Sequence, residues 1–145
     1  MKLKGKVAIV TGGARGNGLA IARCLAEEGA DIAIADICEN QSTIPYDMST
    51  EATMNDAVEG LKTMGVKAIG IKCDVSKAAD VEGMVEKVID ALGKIDILVN
   101  NAGNSSMVAI AEMDEQTWDD VIDTQLKGTY LCCRYVLPHM IEQHS

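Results

Sequence analysis

The segment TGGARGNG at positions 11–18 follows a short apolar run and precedes a stretch with helical spacing. Gly12, Gly16 and Gly18 permit a tight turn, close approach of backbone to a ligand, and close helix–strand contact. A helix starting here aims unpaired N–H groups and the positive end of its dipole at the loop. A diphosphate suits that arrangement, with Arg15 and Asn17 inside the same loop. Glycine turns also join strands to helices for steric reasons alone, so the pattern gains weight from the next apolar run. That run ends in Asp36, 20 residues after Gly16. A carboxylate there accepts both hydroxyls of an adenosine ribose and repels a 2′-phosphate. That favours NAD as cofactor. Arg15 points the other way, toward NADP, and a plain exposed strand-end carboxylate is the other reading of Asp36.

Two more polar signals occur at comparable places. Asp74, in KCDV, can bond an adenine amino group, and Val75 beside it can line the adenine pocket. Asp74 can equally serve as a helix N-cap in DVSKAAD. NNAG at 100–103 places Asn101 where its amide can tie neighbouring strand ends together. Gly103 there lets a ribose approach closely, and a plain turn is the alternative.

These residues need a scaffold that gathers them, and the hydrophobic texture predicts one. KVAIVTG (6–12), DIAIAD (31–36), VKAIGIKCDV (66–75) and KIDILVNNAG (94–103) read as buried parallel strands. Between them, 17–30, 49–65 and 77–93 have helical spacing, with Leu19, Ala22, Cys24 and Leu25 expected inward in the first helix. Ser49 or Thr50 is the expected N-cap of the second, and Gly29 and Gly65 are expected stops. Asp114 opens a fourth helix running through Gln143, with Pro138 expected to bend or fray its last turn. Four βα units predict an α/β fold, a Rossmann-type doubly wound parallel sheet in a single unit covering 1–145. All four polar signals then fall on the carboxyl edge of the sheet, where such folds bind ligands.

Composition narrows the partners. A net charge of −9 argues against nucleic acid and anionic membranes, and Trp118 with three tyrosines leaves no stacking platform for single strands. No apolar run approaches membrane-spanning length, and the N-terminus lacks a signal-peptide cleavage site, so the expected compartment is the cytoplasm. Five cysteines without a CxxC pair read as reduced core or interface thiols, Cys24, Cys73 and Cys132 among them. No metal site is expected, since His139 and His144 fit one helix face poorly and no Cys or acid cluster supports them.

TGGARGNG and NNAG, with DILVNNAG and WDDVIDTQLKGTYL around the latter, make the chain resemble the short-chain dehydrogenase/reductase family from Lys4 onward. The resemblance implies NAD held by Gly12, Gly16, Gly18, Asp36, Asp74, Val75, Asn101 and Gly103. It also implies hydride exchange with a secondary alcohol or ketone, and homo-oligomers through the fourth helix. Asn17 replaces the family's usual apolar loop residue. Gln125, in TQLKG, takes the place of the catalytic Asn that keeps a helix kink and a proton-relaying water. The stretch ICENQSTIPYDMST after Asp36 is longer than usual. It resembles the subgroup of carveol dehydrogenases and mycofactocin-coupled enzymes, in which it would cover the adenosine end and slow NAD exchange. The family's catalytic Ser and Tyr-x-x-x-Lys have no counterpart in 1–145, so the chain reads as an incomplete sheet ordered 3-2-1-4, truncated before its chemistry. A dinucleotide-binding or interaction module without chemistry is the competing reading, and a methyltransferase a third.

Overall fold

The computed structural model describes residues 1–144. Four strands, β1 (Val7–Thr11), β2 (Asp31–Asp36), β3 (Ala68–Lys72) and β4 (Ile97–Val99), form one parallel sheet. Their order is β3-β2-β1-β4, the order expected from the family resemblance. The two central strands are apolar on both faces because helices cover both. Alternate residues split between two cores: Ala8, Val10, Ile32 and Ile34 face one way, and Val7, Ile9, Ala33 and Ala35 the other. Complete burial of a side chain such as Ile9 or Ile34 is worth roughly 1.5–3 kcal/mol, which fixes strand register.

The first core is closed by α1 (Gly16–Glu27) and α2 (Glu51–Lys62), which bring Ala22, Ala26, Met54, Val58 and Leu61 onto the sheet. The second is closed by α3 (Ala78–Leu92), through Val81, Met84, Val85 and Val88. Beside it lies α5 (Gly128–Glu142), which contributes Leu131, Cys132 and Val136. Thr50, rather than Ser49, caps α2, its side chain accepting from the Thr53 amide. Among the described residues no helix is long and apolar enough to cross a membrane.

Two expectations need correction. The fourth helical stretch is not α-helical throughout: α4 (Glu115–Ile122) and α5 are joined by a π-helical turn, Asp123–Lys127. Pro138 lies within α5, which runs on to Glu142. Cys24 is exposed, because Gly18, Ala22 and Ala26 form the buried stripe of α1 and position 24 lies on the opposite side. Cys73 and Cys132 are buried as expected, and that burial pushes their thiols up to about 12 and about 11, with nearby negative charge adding to it. The fourth strand is shorter than its apolar run because each end has other work. Beyond Val99 the Asn101 amide turns toward β1, and before Ile97 the Asp96 carboxylate is committed to the amino edge of the sheet.

Asp96 accepts from the Val7 amide at 2.9 Å and pairs with Lys6 at 2.9 Å and Lys94 at 3.0 Å, its side chain only 5% exposed. Burial opposes its charge, but the Lys6 and Lys94 ammoniums and the Val7 amide outweigh that and hold the carboxyl below its ordinary range. A carboxyl lowered on folding contributes stability above its unfolded pKa of about 4 and loses it as pH falls through the folded value. Asp96→Asn is therefore expected to cost about 1–3 kcal/mol at pH 7. In thermal unfolding from pH 7 to about pH 2.5, the gap between variant and wild type should narrow only below about pH 4.

Candidate functional site

The carboxyl ends of β1 and β4 are stitched together by Thr11 and Asn101. The Thr11 hydroxyl, 1% exposed, accepts from the amides of Asn101 and Ala102, both at 3.0 Å. The Asn101 side chain returns the contact, donating to the Thr11 carbonyl at 2.9 Å and the Gly12 carbonyl at 3.2 Å. This fixes the start of the glycine loop. A Cβ on Gly12 would come within 2.9 Å of both the Asn101 amide and the Ala102 Cα, and one on Gly18 would fall on the Gly12 carbonyl oxygen. Gly16 has φ +55° with open space around it, so its backbone conformation sets the residue type there, not packing.

The loop delivers the N-terminus of α1 to a cleft of about 270 Å³. α1 has no side-chain cap, and its first turn holds no acidic residue, whereas those of α2, α3 and α4 each hold one. Its first N–H groups and positive dipole end are left for an anion. Gly12, Arg15, Gly16, Asn17, Gly18, Asp36, Asp74, Val75, Asn101 and Gly103 all line this one cleft. Gln125 is not among its lining residues; its side-chain amide donates to the Asn104 carbonyl at 2.6 Å.

Asp36 is 8% exposed and already engaged, through Ala14 N–H at 3.1 Å, Cys38 N–H at 3.5 Å and the Ser49 hydroxyl. Arg15 lines the same cleft, with Nη1 donating to the Asp47 carbonyl at 2.7 Å. Asp74 accepts from the Ser76 amide and hydroxyl and pairs with Lys77. Burial opposes its ionisation, but those donors prevail and hold its carboxyl below the usual range. Lys77, not Asp74, occupies the N-cap position of α3, so Asp74 closes a local turn instead.

Residues 37–49 form a strap along the cleft, contributing Ile37, Gln41, Tyr46, Met48 and Ser49 to its wall. The strap does more than cover one end. Its far contacts reach the segment after β4: Gln41 accepts from Asn104 at 2.7 Å and the Tyr46 hydroxyl accepts from the Ser105 amide at 3.1 Å. Thr43 also donates to Asp120 of α4 at 2.5 Å. Thr11 carried a signal in sequence, as the first letter of the glycine motif. Gln41, Tyr46 and Ser49 carried one only as part of the long stretch after Asp36, Ser49 also as a candidate cap, and their individual partners, 13 to 63 positions away, carried none.

The model of the short chain dehydrogenase family matches residues 6–145, and the chain belongs to that family. A 3-oxoacyl-(acyl-carrier-protein) reductase of Staphylococcus epidermidis is 40% identical over 140 residues, covering 97% of this chain and 53% of that protein. Carveol dehydrogenase from Mycobacterium avium, solved in complex with NAD, superposes with TM-score 0.93 at 30% identity, over 98% of this chain and 52% of that one. A short chain dehydrogenase from Mycobacterium paratuberculosis, bound to NAD, gives 0.94 at 32% identity, over 99% and 53%. The chain thus spans about half the length of these relatives.

The crowding at Gly18 makes a contrast between two glycines. Gly18→Ala is expected to lower stability by at least about 2 kcal/mol, since the new methyl meets backbone that cannot yield. Gly60→Ala, in α2 with nothing within 4 Å of the added Cβ, is expected to raise it by about 0.5–1 kcal/mol. Urea unfolding of both variants beside wild type checks the pair.

Proposed function

We propose that this member of the short chain dehydrogenase family is the NAD-binding portion of an oxidoreductase that moves hydride between NAD and a secondary alcohol or ketone. Residues 1–145 form one nucleotide-binding half-domain. The observation that carries this reading is that the uncapped N-terminus of α1 and the Asp36 carboxylate line one cleft. The donor set fits the cofactor. Gly16, Asn17 and Gly18 offer amides to a diphosphate, and Asp36 offers its carboxylate to a ribose. Asp74, kept ionised, suits an adenine amino group, and Val75 an adenine face. With Arg15 turned to Asp47, no guanidinium stands ready for a 2′-phosphate, so NAD is favoured over NADP. Bound there, NAD supplies a hydride acceptor at carbon four of its nicotinamide ring.

The protein's own groups hold and orient. Asn101 keeps the glycine loop in place, Gly103 leaves the nicotinamide-side wall bare, and the 37–49 strap excludes water and delays release. Gln125 acts as a brace: its extra methylene reaches the Asn104 carbonyl and steadies the π-helical turn. Within 1–145 no tyrosine is followed four residues later by lysine. Tyr46, Tyr130 and Tyr135 meet Thr50, Arg134 and His139 there, so the half-domain binds cofactor without moving the substrate proton. Trp118, Leu126, Tyr130, Leu137 and Ile141 are exposed along α4, the turn and α5, an apolar face suited to a second copy.

Fluorescence titration tests the cofactor reading. NADH is expected to bind the 145-residue chain more tightly than NADPH, and Asp36→Ala to weaken NADH by about tenfold or more. Tighter binding of NADPH would overturn the assignment. Turnover of secondary alcohols by the same chain is expected to be undetectable, and measurable NAD-linked oxidation would refute the division of labour.

A further inference from the structure

Asn104 follows the NNAG segment and is 3% exposed, among the few polar side chains buried so deeply. Its two amide hydrogens are shared among three acceptors: Gln41 Oε1 at 2.7 Å, Thr124 Oγ1 at 3.2 Å and the Asp120 carbonyl at 3.4 Å. Its backbone carbonyl takes the Gln125 amide at 2.6 Å. Its own Oδ1 is buried without a hydrogen-bond partner among the described residues. A buried amide half satisfied is costly, and an arrangement that retains it is held in place by what the other half does.

That other half links two elements of different origin. Gln41 belongs to the strap, which grows from the end of β2. Thr124 and Gln125 belong to the π-helical turn between α4 and α5. Such turns are rare and frequent at functional sites, and the bonds from Thr124 and Gln125 to a segment outside these helices both end on Asn104. Thr124 also lines the cleft. The Tyr46–Ser105 and Thr43–Asp120 contacts fasten the strap as well, but the Gln125 amide is spent on Asn104.

We infer that Asn104 is a positioning residue that couples closure of the 37–49 strap over the cofactor to the placement of the Asp123–Lys127 turn on the substrate side. With the strap down, Gln41 orients the Asn104 side-chain amide, which then presents its remaining hydrogen to Thr124, while the Asn104 backbone carbonyl takes the Gln125 amide. With the strap lifted, the amide loses its strongest acceptor and the turn loses its outside support. Cofactor occupancy is thereby reported to the turn that lines the cleft at Thr124. This rests on the reading of the cleft as an NAD site, but the joint itself exists without ligand.

Amide hydrogen exchange on the full 145-residue chain tests it in two arms. Without ligand, Gln41→Ala is expected to speed exchange across 123–128 about three- to tenfold, the effect of losing one hydrogen bond, while β1 and α2 stay as in wild type. Unchanged exchange at 123–128 would overturn the coupling. With NADH, wild type is expected to gain protection at both 39–48 and 123–128, whereas Asn104→Ala gains it at 39–48 only. Protection of both segments in that variant would overturn the role of Asn104 and leave the cofactor reading standing. NADH protecting neither segment in wild type would remove the cofactor reading, while the ligand-free arm would still decide whether the joint exists. Should Asn104→Ala fail to fold, the Gln41→Ala arm decides alone.

Discussion

Everything at the carboxyl edge of this sheet depends on a contact between residues 90 positions apart, the reciprocal bonding of Thr11 and Asn101. Parallel strands end with unpaired carbonyls and amides, and a glycine loop leaving such an end has many conformations open to it. The Thr11 hydroxyl and the Asn101 amide satisfy those groups across the gap between β1 and β4. In doing so they set the height at which α1 begins. Gly18 must then pass against the Gly12 carbonyl, and the helix N-terminus comes to rest in the cleft. The spacing of glycines is a result of this stitch, since each marks a place where the stitched backbone leaves no room or requires a positive φ.

Much of the architecture is legible in the sequence because its causes are local or periodic. The β-branched runs VAIV and IAIA within β1 and β2 are continuously apolar because both faces of the sheet are covered, and their shortness between turn signals marks them as strands. The glycine loop, Asp36 and NNAG are readable for a similar reason: each sits at the end of a strand, and strand ends can be counted. Features set by distant or geometric causes leave no such mark. The outward turn of Cys24 follows from the small-residue stripe of Gly18, Ala22 and Ala26 claiming the buried face. The π-helical turn leaves no trace in hydrophobic spacing, since WDDVIDTQLKGTYL reads as one helix. Ser49 stands where a cap is expected, yet its hydroxyl goes to Asp36, and nothing in its own neighbourhood announces that partner.

The strap runs along the cleft while adding little to the core. Lys72 pairs with Glu39 at 3.1 Å near its start, Arg15 holds the Asp47 carbonyl near its end, and only Cys38, Ile44 and Ser49 of it are buried. Its other contacts include polar bonds within the strap, such as Asn40 with Asp47 and Met48, and single bonds to Asn104, Ser105 and Asp120. Such contacts individually contribute little to folding. Together they fix the path of the segment along the cleft.

The π-helical turn also governs the outer surface. An α-helix advances about 100° per residue, so one surplus residue rotates everything after it by about that angle. Leu131, Cys132 and Val136 meet the sheet, and Tyr130, Leu137 and Ile141 look away from it, only because that rotation has occurred. Deleting a residue from 123–127 would swing a different set of side chains inward and present a different face to any neighbouring subunit. The turn that reaches the cleft wall through Thr124 therefore also sets the phase of the outer helix. A descendant that lost the bulge would have to repack α5 against the sheet as well as reshape that wall.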